Sequence, residues 1–141
     1  MTFIRFIITL FDPTEDEVDL ESIPDTFTTE YFIGNLQERW SQSTVRHHPS
    51  SDRDLTWVIP QLDSGDVDND FTGRLDMQDK SIVFGLVPPE TVVEFLRWIM
   101  SIIPSGLPVY LMKLTGIEIN SLLVITHVTK DQEIIHFVIT R

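Results

Sequence analysis

The sequence predicts an α+β domain of two layers, with two helices packed on a mostly antiparallel sheet of six to seven strands. Apolar residues alternate along several short segments, as in strands, and recur every three to four positions along two longer ones, as in helices. Short polar turns join strand-like neighbours, which favours antiparallel pairing. The 141 residues match the usual size of one domain and contain no long linker, so we expect 1–141 to fold as a single domain.

The first part of the chain predicts a strand, an acidic loop and a helix. Residues 3–11, FIRFIITLF, are apolar on both sides of an alternating pattern, which indicates a central strand. Residues 12–28 contain two prolines and few apolar side chains, so they are expected to form a solvated loop. In 28–42 apolar residues recur every four positions, which predicts a helix capped by Thr28 or Thr29.

The middle of the chain predicts a loop followed by three strands. Residues 43–53 are polar and contain a proline, which is typical of a loop. Residues 54–62 read as a strand, and Pro60 places its end at a sheet edge or bulge. The segments 71–77 and 81–87 are separated by a short polar turn and should form a hairpin.

The last part of the chain predicts a second helix and three further strands. Two prolines open the helix over 88–103, which is apolar except for one narrow polar stripe, so it is either core or an interface. A strand is expected at 107–114, and a final hairpin is expected from 122–128 and 133–141. The predicted order is therefore β-α-β-β-β-α-β-β-β.

Composition indicates a soluble protein that needs no disulfide. The chain is 42% hydrophobic and contains no cysteine, which excludes thiolate chemistry and fits a reducing cytoplasm. The apolar N-terminal run carries Arg5 and lacks a cleavage signal, so a buried strand explains it better than a secretion signal. The apolar run 91–103 is too short and too charged to cross a bilayer. We expect a cytoplasmic protein without a membrane segment.

Negative charge is concentrated in the first half of the chain. The net charge is −12, and residues 1–70 hold 15 acidic against 4 basic residues, whereas residues 71–141 hold 7 against 6. The stretch 12–30 contains eight acidic residues and no lysine or arginine. Such a field repels nucleic-acid phosphate and anionic lipid and attracts basic partners. We therefore expect no nucleic-acid partner, and either a docking face or loops that simply keep the protein soluble.

A second acidic feature is the segment LDSGDVDNDF at 62–71. Its aspartates Asp66, Asp68 and Asp70 begin the spacing of a calcium-binding loop. The pattern then fails, because the required glycine is Phe71 and the required glutamate twelve positions along is Met77. The residues favour a loop shaped by aspartates, with weak binding of a divalent cation as the alternative and no resident metal or cofactor predicted.

Catalytic motifs are absent from the sequence, which favours a non-catalytic protein. It has no nucleophile elbow and no glycine-rich phosphate loop. The adjacent His47 and His48 would point to opposite sides of an extended segment and so chelate one ion poorly. His127 and His136 fall in the predicted final hairpin at positions that allow closeness across its turn, and we interpret them as semi-buried histidines, each with a backbone partner. The three tryptophans lie in apolar patterns typical of a core.

Three functions remain open. The first is a protein–protein interaction module of the inhibitor, immunity or regulatory type, which docks a basic protein through the N-terminal half. The second is a homo-oligomer, such as a homodimer, that pairs through the second helix or a sheet edge. The third is a small-ligand-binding protein or enzyme with a cavity between helices and sheet. The predicted partner-binding residues are Asp16, Glu17, Asp19, Glu21, Asp25, Asp66, Asp68 and Asp70. In size and composition, though in no residue motif, the chain resembles bacterial immunity and inhibitor proteins that neutralise basic nucleases.

Overall fold

A computed structural model of the chain describes eight segments, which together form seven strands and three helices. The described residues are 4–11, 28–47, 54–60, 70–76, 81–85, 87–103, 107–115 and 118–139. In chain order the elements are β1 (Ile4–Thr9), α1 (Thr29–Arg39), β2 (Thr44–His47), β3 (Asp54–Ile59), β4 (Phe71–Asp76), β5 (Ser81–Phe84), α2 (Pro89–Ile102), β6 (Val109–Thr115), β7 (Glu118–Ile125) and α3 (Asp131–Ile139). The predicted α+β class is confirmed.

The strands form one sheet in the order β2-β3-β4-β5-β1-β6-β7, and every neighbouring pair is antiparallel. The predicted central strand is confirmed, because β1 lies between β5 and β6. Its Phe6 and Ile8 are buried on one face of the sheet, and Thr9 is buried on the other. The continuous apolar character of β1 thus reflects its position in the interior of the sheet.

The helices cover one face of the sheet, with α2 between α1 and α3. The ring of Phe95 in α2 stacks on Trp57 of β3 at a centroid distance of 5.0 Å, and Trp98 lies 5.6 Å from Phe32 of α1. On its other side α2 is joined to α3 by an ion pair between Arg97 and Asp131. One apolar core therefore fills the space between the helices and the sheet.

Local signals explain both predicted helices. The hydroxyl of Thr28 accepts a hydrogen bond from the Tyr31 N–H at 3.2 Å, which confirms the predicted cap of α1. Phe32 and Leu36, one turn apart, are its buried residues. At α2, Pro89 occupies the first turn, where its missing N–H costs no helical hydrogen bond. The sequence left open whether α2 is core or interface, and its buried apolar side chains favour core.

Residues 43–53 were predicted to be a loop, and this is wrong for the part that forms β2. The strand Thr44–His47 pairs with β3, with Arg46 opposite Thr56. Thr44, Arg46 and His47 are exposed and Val45 is half-buried, so the strand depends mainly on backbone hydrogen bonds to β3. An edge strand of this kind leaves no apolar pattern in the sequence.

The predicted final hairpin is also wrong, because the segment after β7 is the helix α3. Ile134 and Val138 are buried one helical turn apart. The carboxylate of Glu133 accepts a hydrogen bond from the Lys130 N–H at 2.9 Å, which stabilises the start of the helix. As a result β7 has no following strand beside it and ends the sheet.

Candidate functional site

One of the eight predicted partner-binding residues lies within the described part of the chain. Asp16, Glu17, Asp19, Glu21, Asp25, Asp66 and Asp68 are outside the described residues. The described member of the set is Asp70, which is half-buried directly before β4. Asp70 is likewise the described member of the weak divalent-cation set Asp66, Asp68 and Asp70.

The topology attaches the two acidic segments to opposite ends of the sheet. The segment 12–27 follows β1, and the segment 61–69 follows β3. In the sheet order two strands, β4 and β5, separate β3 from β1, and each pair is antiparallel. The chain therefore leaves β1 and β3 in opposite directions.

The end of the sheet where β1 leads into 12–27 carries a second acidic position. In the register Thr9 of β1 lies opposite Ser81, Ser81 lies opposite Asp76, and Asp76 lies opposite Asp54. Asp76 and Asp54 are therefore paired across neighbouring strands at that end. Sequence reasoning missed this pair, because its two residues are far apart in the chain and only the strand register brings them together.

The described residues carry only a small part of the net charge of −12. The 95 described residues contain 10 acidic and 7 basic residues, a net of −3. The other 46 residues contain 12 acidic and 3 basic residues, a net of −9. Three quarters of the net charge therefore belongs to residues outside the described strands, helices and turns.

Three basic side chains among the described residues form ion pairs or hydrogen bonds with other described residues. Arg39 of α1 forms an ion pair with Glu94 of α2 at 2.7 Å. Arg97 of α2 pairs with Asp131 of α3 at 2.8 Å and also donates to the carbonyl of Thr129. These arginines hold the helices together.

The third bound cation is Lys113, a lysine that is only 6% exposed in β6. Its Nζ donates a hydrogen bond to the Phe137 carbonyl in the last turn of α3 at 2.5 Å and lies 5.1 Å from the Phe137 ring centroid. The position favours a positive charge, because helix carbonyls at a carboxyl end carry partial negative charge. Burial nevertheless lowers the pKa of the ammonium below its usual 10.5. The contacts indicate that Lys113 fixes the end of α3 on the sheet.

The histidines and aromatic residues do not form a site among the described residues. His127 lies in an exposed turn and His136 is exposed on α3, so the hairpin placement and the semi-burial expected for them are wrong. Trp57 and Trp98 are buried in the core, as predicted. Tyr31 donates its hydroxyl to the Ile102 carbonyl and thereby links α1 to α2. Within the described segments no three histidine, aspartate or glutamate side chains are grouped so that they could hold a metal ion.

The sheet face opposite the helices carries a row of residues that is polar at one end and apolar at the other. One register row runs across all seven strands of this face. Its residues are Arg46, Thr56, Arg74, Val83, Ile7, Met112 and Leu122, in spatial order. The row is polar over β2–β4 and apolar over β5, β1, β6 and β7. The apolar half therefore reaches the β7 edge.

Comparison with known proteins finds no matching protein-family model, no similar curated protein and no similar solved structure. Among the described helices, none combines the length and apolarity needed to cross a membrane. Function is therefore argued from the charges and surfaces of this chain.

Proposed function

We propose that the protein is a non-catalytic interaction module, of the inhibitor, immunity or regulatory type, which docks a basic protein through its acidic segments. The observation that carries this proposal is the concentration of negative charge along the chain: residues 1–70 hold 15 acidic against 4 basic residues, whereas residues 71–141 hold 7 against 6. The cysteine-free sequence is compatible with action in the cytoplasm.

The segment 12–27 is the principal docking element of the proposal. It contains seven acidic residues and no basic one. Charges of one sign within about 8 Å, the Debye length at physiological salt, act together on an approaching cation. Their field raises the rate of encounter with a basic protein by about 10- to 1000-fold, and the effect falls steeply with salt. Two bound arginines, Arg39 and Arg97, support the proposal because their charges are already matched by Glu94 and Asp131.

The test compares two charge-neutralised variants with the wild type. In the docking variant Asp16, Glu17, Asp19, Glu21 and Asp25 are changed to asparagine or glutamine. In the control variant Glu30, Glu38 and Glu90, which are exposed on α1 and α2, are changed to glutamine. Each protein is used to capture partners from native lysate, and the association rate of any captured protein is then measured from about 50 to about 500 mM salt.

The expected partner is a basic protein that the wild type and the control variant retain and the docking variant loses. Its association rate with the wild type should fall by at least about tenfold across the salt range. An association that is equally fast at low and high salt would contradict the proposal. Equal retention by the docking variant would contradict the role of 12–27 even if the partner is basic.

A further inference from the structure

The two edges of the sheet differ in length and chemistry. At one edge β2 has four residues, and its Arg46 and His47 are exposed. At the other edge β7 has eight residues, Glu118–Ile125. Short, charged edge strands discourage pairing with another chain, whereas long apolar ones favour it. Among the described residues no strand pairs with the outer side of β7.

Exposed apolar surface is concentrated at the β7 edge. The large hydrophobic residues described as exposed are Val124, Val128 and Ile139, at 47%, 72% and 59% exposure. Val124 lies in β7, Val128 in the turn after it and Ile139 at the end of α3. Between Glu118 and Lys130 the chain has no charged residue. In a protein of net charge −12 this is an unusually neutral surface.

We propose that β7 pairs antiparallel with β7 of a second copy of the chain, so that two seven-stranded sheets become one sheet of fourteen strands. A two-fold axis perpendicular to the sheet relates antiparallel neighbours and keeps both helical layers on one side. The apolar half of the register row then continues across the junction. Leu122 of one copy meets Leu122 of the other at the centre of the joined sheet, and Met112, Ile7 and Val83 follow in turn on either side.

The size and charge of this surface fit a second copy. Eight residues at about 3.4 Å each give a strand about 27 Å long. With a sheet and helix layer together about 20 Å thick, pairing buries on the order of 500 Å² per copy. The total of about 1,000 Å² lies at the lower end for specific interfaces and is consistent with a dimer of about micromolar affinity. Two copies that each carry −12 can approach closely here, because β7 has one charged residue, Glu118 at its start, whereas a basic partner gains little attraction there.

The test measures molar mass in solution and protection of the β7 amides. By light scattering after size exclusion at about 200 µM, the wild type should have about twice the 16.3 kDa chain mass and should dissociate on dilution to about 0.1 µM. Val124→Lys places a charge on β7 of each copy, two residues from Leu122 on the same face of the sheet, and should raise the dissociation constant at least about a hundredfold. Thr72→Lys, at an exposed position of the interior strand β4, is the matched control and should remain dimeric. Circular dichroism of each variant confirms that it is folded.

Hydrogen exchange keeps the proposal testable if Val124→Lys fails to fold. Outward-facing amides of β7 in the wild type should gain protection as concentration rises, while those of β2 should not. A wild type that is monomeric at about 200 µM overturns the proposal. A dimer that survives Val124→Lys, or one with no concentration-dependent protection in β7, also overturns it. If the β7 amides gained protection only when a different protein was added, the edge would belong to another partner. That result would also overturn the proposal that a second copy binds there.

Discussion

Gly73 provides the sharpest test of the packing, because it lies beneath the indole of Trp57. A Cβ atom added at Gly73 would lie 2.2 Å from Cζ2 of Trp57 and 2.7 Å from two further ring atoms. Carbon atoms in contact are normally about 3.5–4.0 Å apart, so the ring would have to move by more than 1 Å. Trp57 is fully buried, 4.9 Å from the Phe71 ring and 5.0 Å from the Phe95 ring by centroid, so it has no free direction in which to move.

The expected cost of Gly73→Ala follows from these contacts. Overpacking a filled core costs about 1–3 kcal/mol, and disturbing one aromatic pair adds about 0.5–1.5 kcal/mol. We therefore expect the free energy of unfolding to fall by about 3 kcal/mol. For 141 residues the unfolding entropy is about 0.3 kcal/mol/K, so the Tm should fall by about 10 °C. Urea unfolding and calorimetry measure the two quantities.

Gly34 supplies a matched control for the same substitution. It is exposed in α1, and a Cβ atom there would meet nothing within 4 Å. Gly34→Ala should raise the free energy of unfolding by about 0.5–1 kcal/mol, because alanine favours a helix over glycine. Combining Gly73→Ala with Trp57→Leu should cost much less than the sum of the two single changes, since the second removes the obstructing ring. A Gly73→Ala protein within about 1 kcal/mol of the wild type, or strictly additive costs, would refute the reasoning.

Three further predictions concern the helices. Arg97→Ala should lower the free energy of unfolding by about 1–2 kcal/mol, because it breaks the link to Asp131. Arg39→Ala removes a more exposed ion pair and should cost less than about 0.5 kcal/mol. Equal costs of the two variants in urea unfolding would contradict this prediction. Burial lowers the pKa of Lys113 below 10.5 in the folded protein. Just below pH 10.5 the unfolded chain therefore binds more protons at this lysine than the folded protein does. As a result, the free energy of unfolding should rise with pH in this range. In Lys113→Met this rise in the free energy of unfolding with pH should be lost. If the free energy of unfolding of the variant and of the wild type changed in parallel from about pH 8.5 to 10.5, the prediction would be contradicted. Thr28→Ala should cost about 1 kcal/mol and Thr28→Ser should restore most of it, whereas two equal costs would exclude a capping role for the hydroxyl.

The parts of the fold that the sequence predicted are those in which pattern and burial coincide. β1 is apolar on both sides because it is the central strand, and α2 is apolar around most of its circumference because it lies between two helices and the sheet. α1 carries both a helical period and a cap at Thr28. In each case the sequence of the segment itself is sufficient to predict its secondary structure.

The two errors occur where local pattern is insufficient. β2 is exposed and polar, and its hydrogen bonds to β3 are contacts that no local period reveals. In α3 the apolar residues fit a period of two and a period of 3.6 equally well. Two contacts stabilise the helix over a strand. The Glu133 carboxylate accepts a hydrogen bond from the Lys130 N–H, and Asp131 forms an ion pair with Arg97. The second of these is tertiary and spans 34 positions in sequence.

For the candidate site, the sequence predicted the composition of the acidic segments but not their placement. That 12–27 and 61–69 leave the sheet at opposite ends depends on the strand order, in which β1 is inserted between β5 and β6. This order is fixed by long-range pairing. The neutral edge at β7 also depends on long-range structure. It exists only because α3 is a helix and adds no eighth strand.

The proposed dimer and the proposed docking function are compatible on electrostatic grounds. Antiparallel pairing of β7 would invert one copy, so the two β1 ends that lead into 12–27 would point in opposite directions. Between the two β1 strands lie β6 and β7 of each copy, which separates them by about 24 Å laterally and by about a further 20 Å along the strands. The resulting distance of about 30 Å is several times the Debye length of about 8 Å, so repulsion between the two points of attachment is largely screened. Each copy would then bind a basic partner independently, with one partner per chain and no cooperativity. Loss of the dimer in Val124→Lys should therefore leave the salt dependence of partner association unchanged.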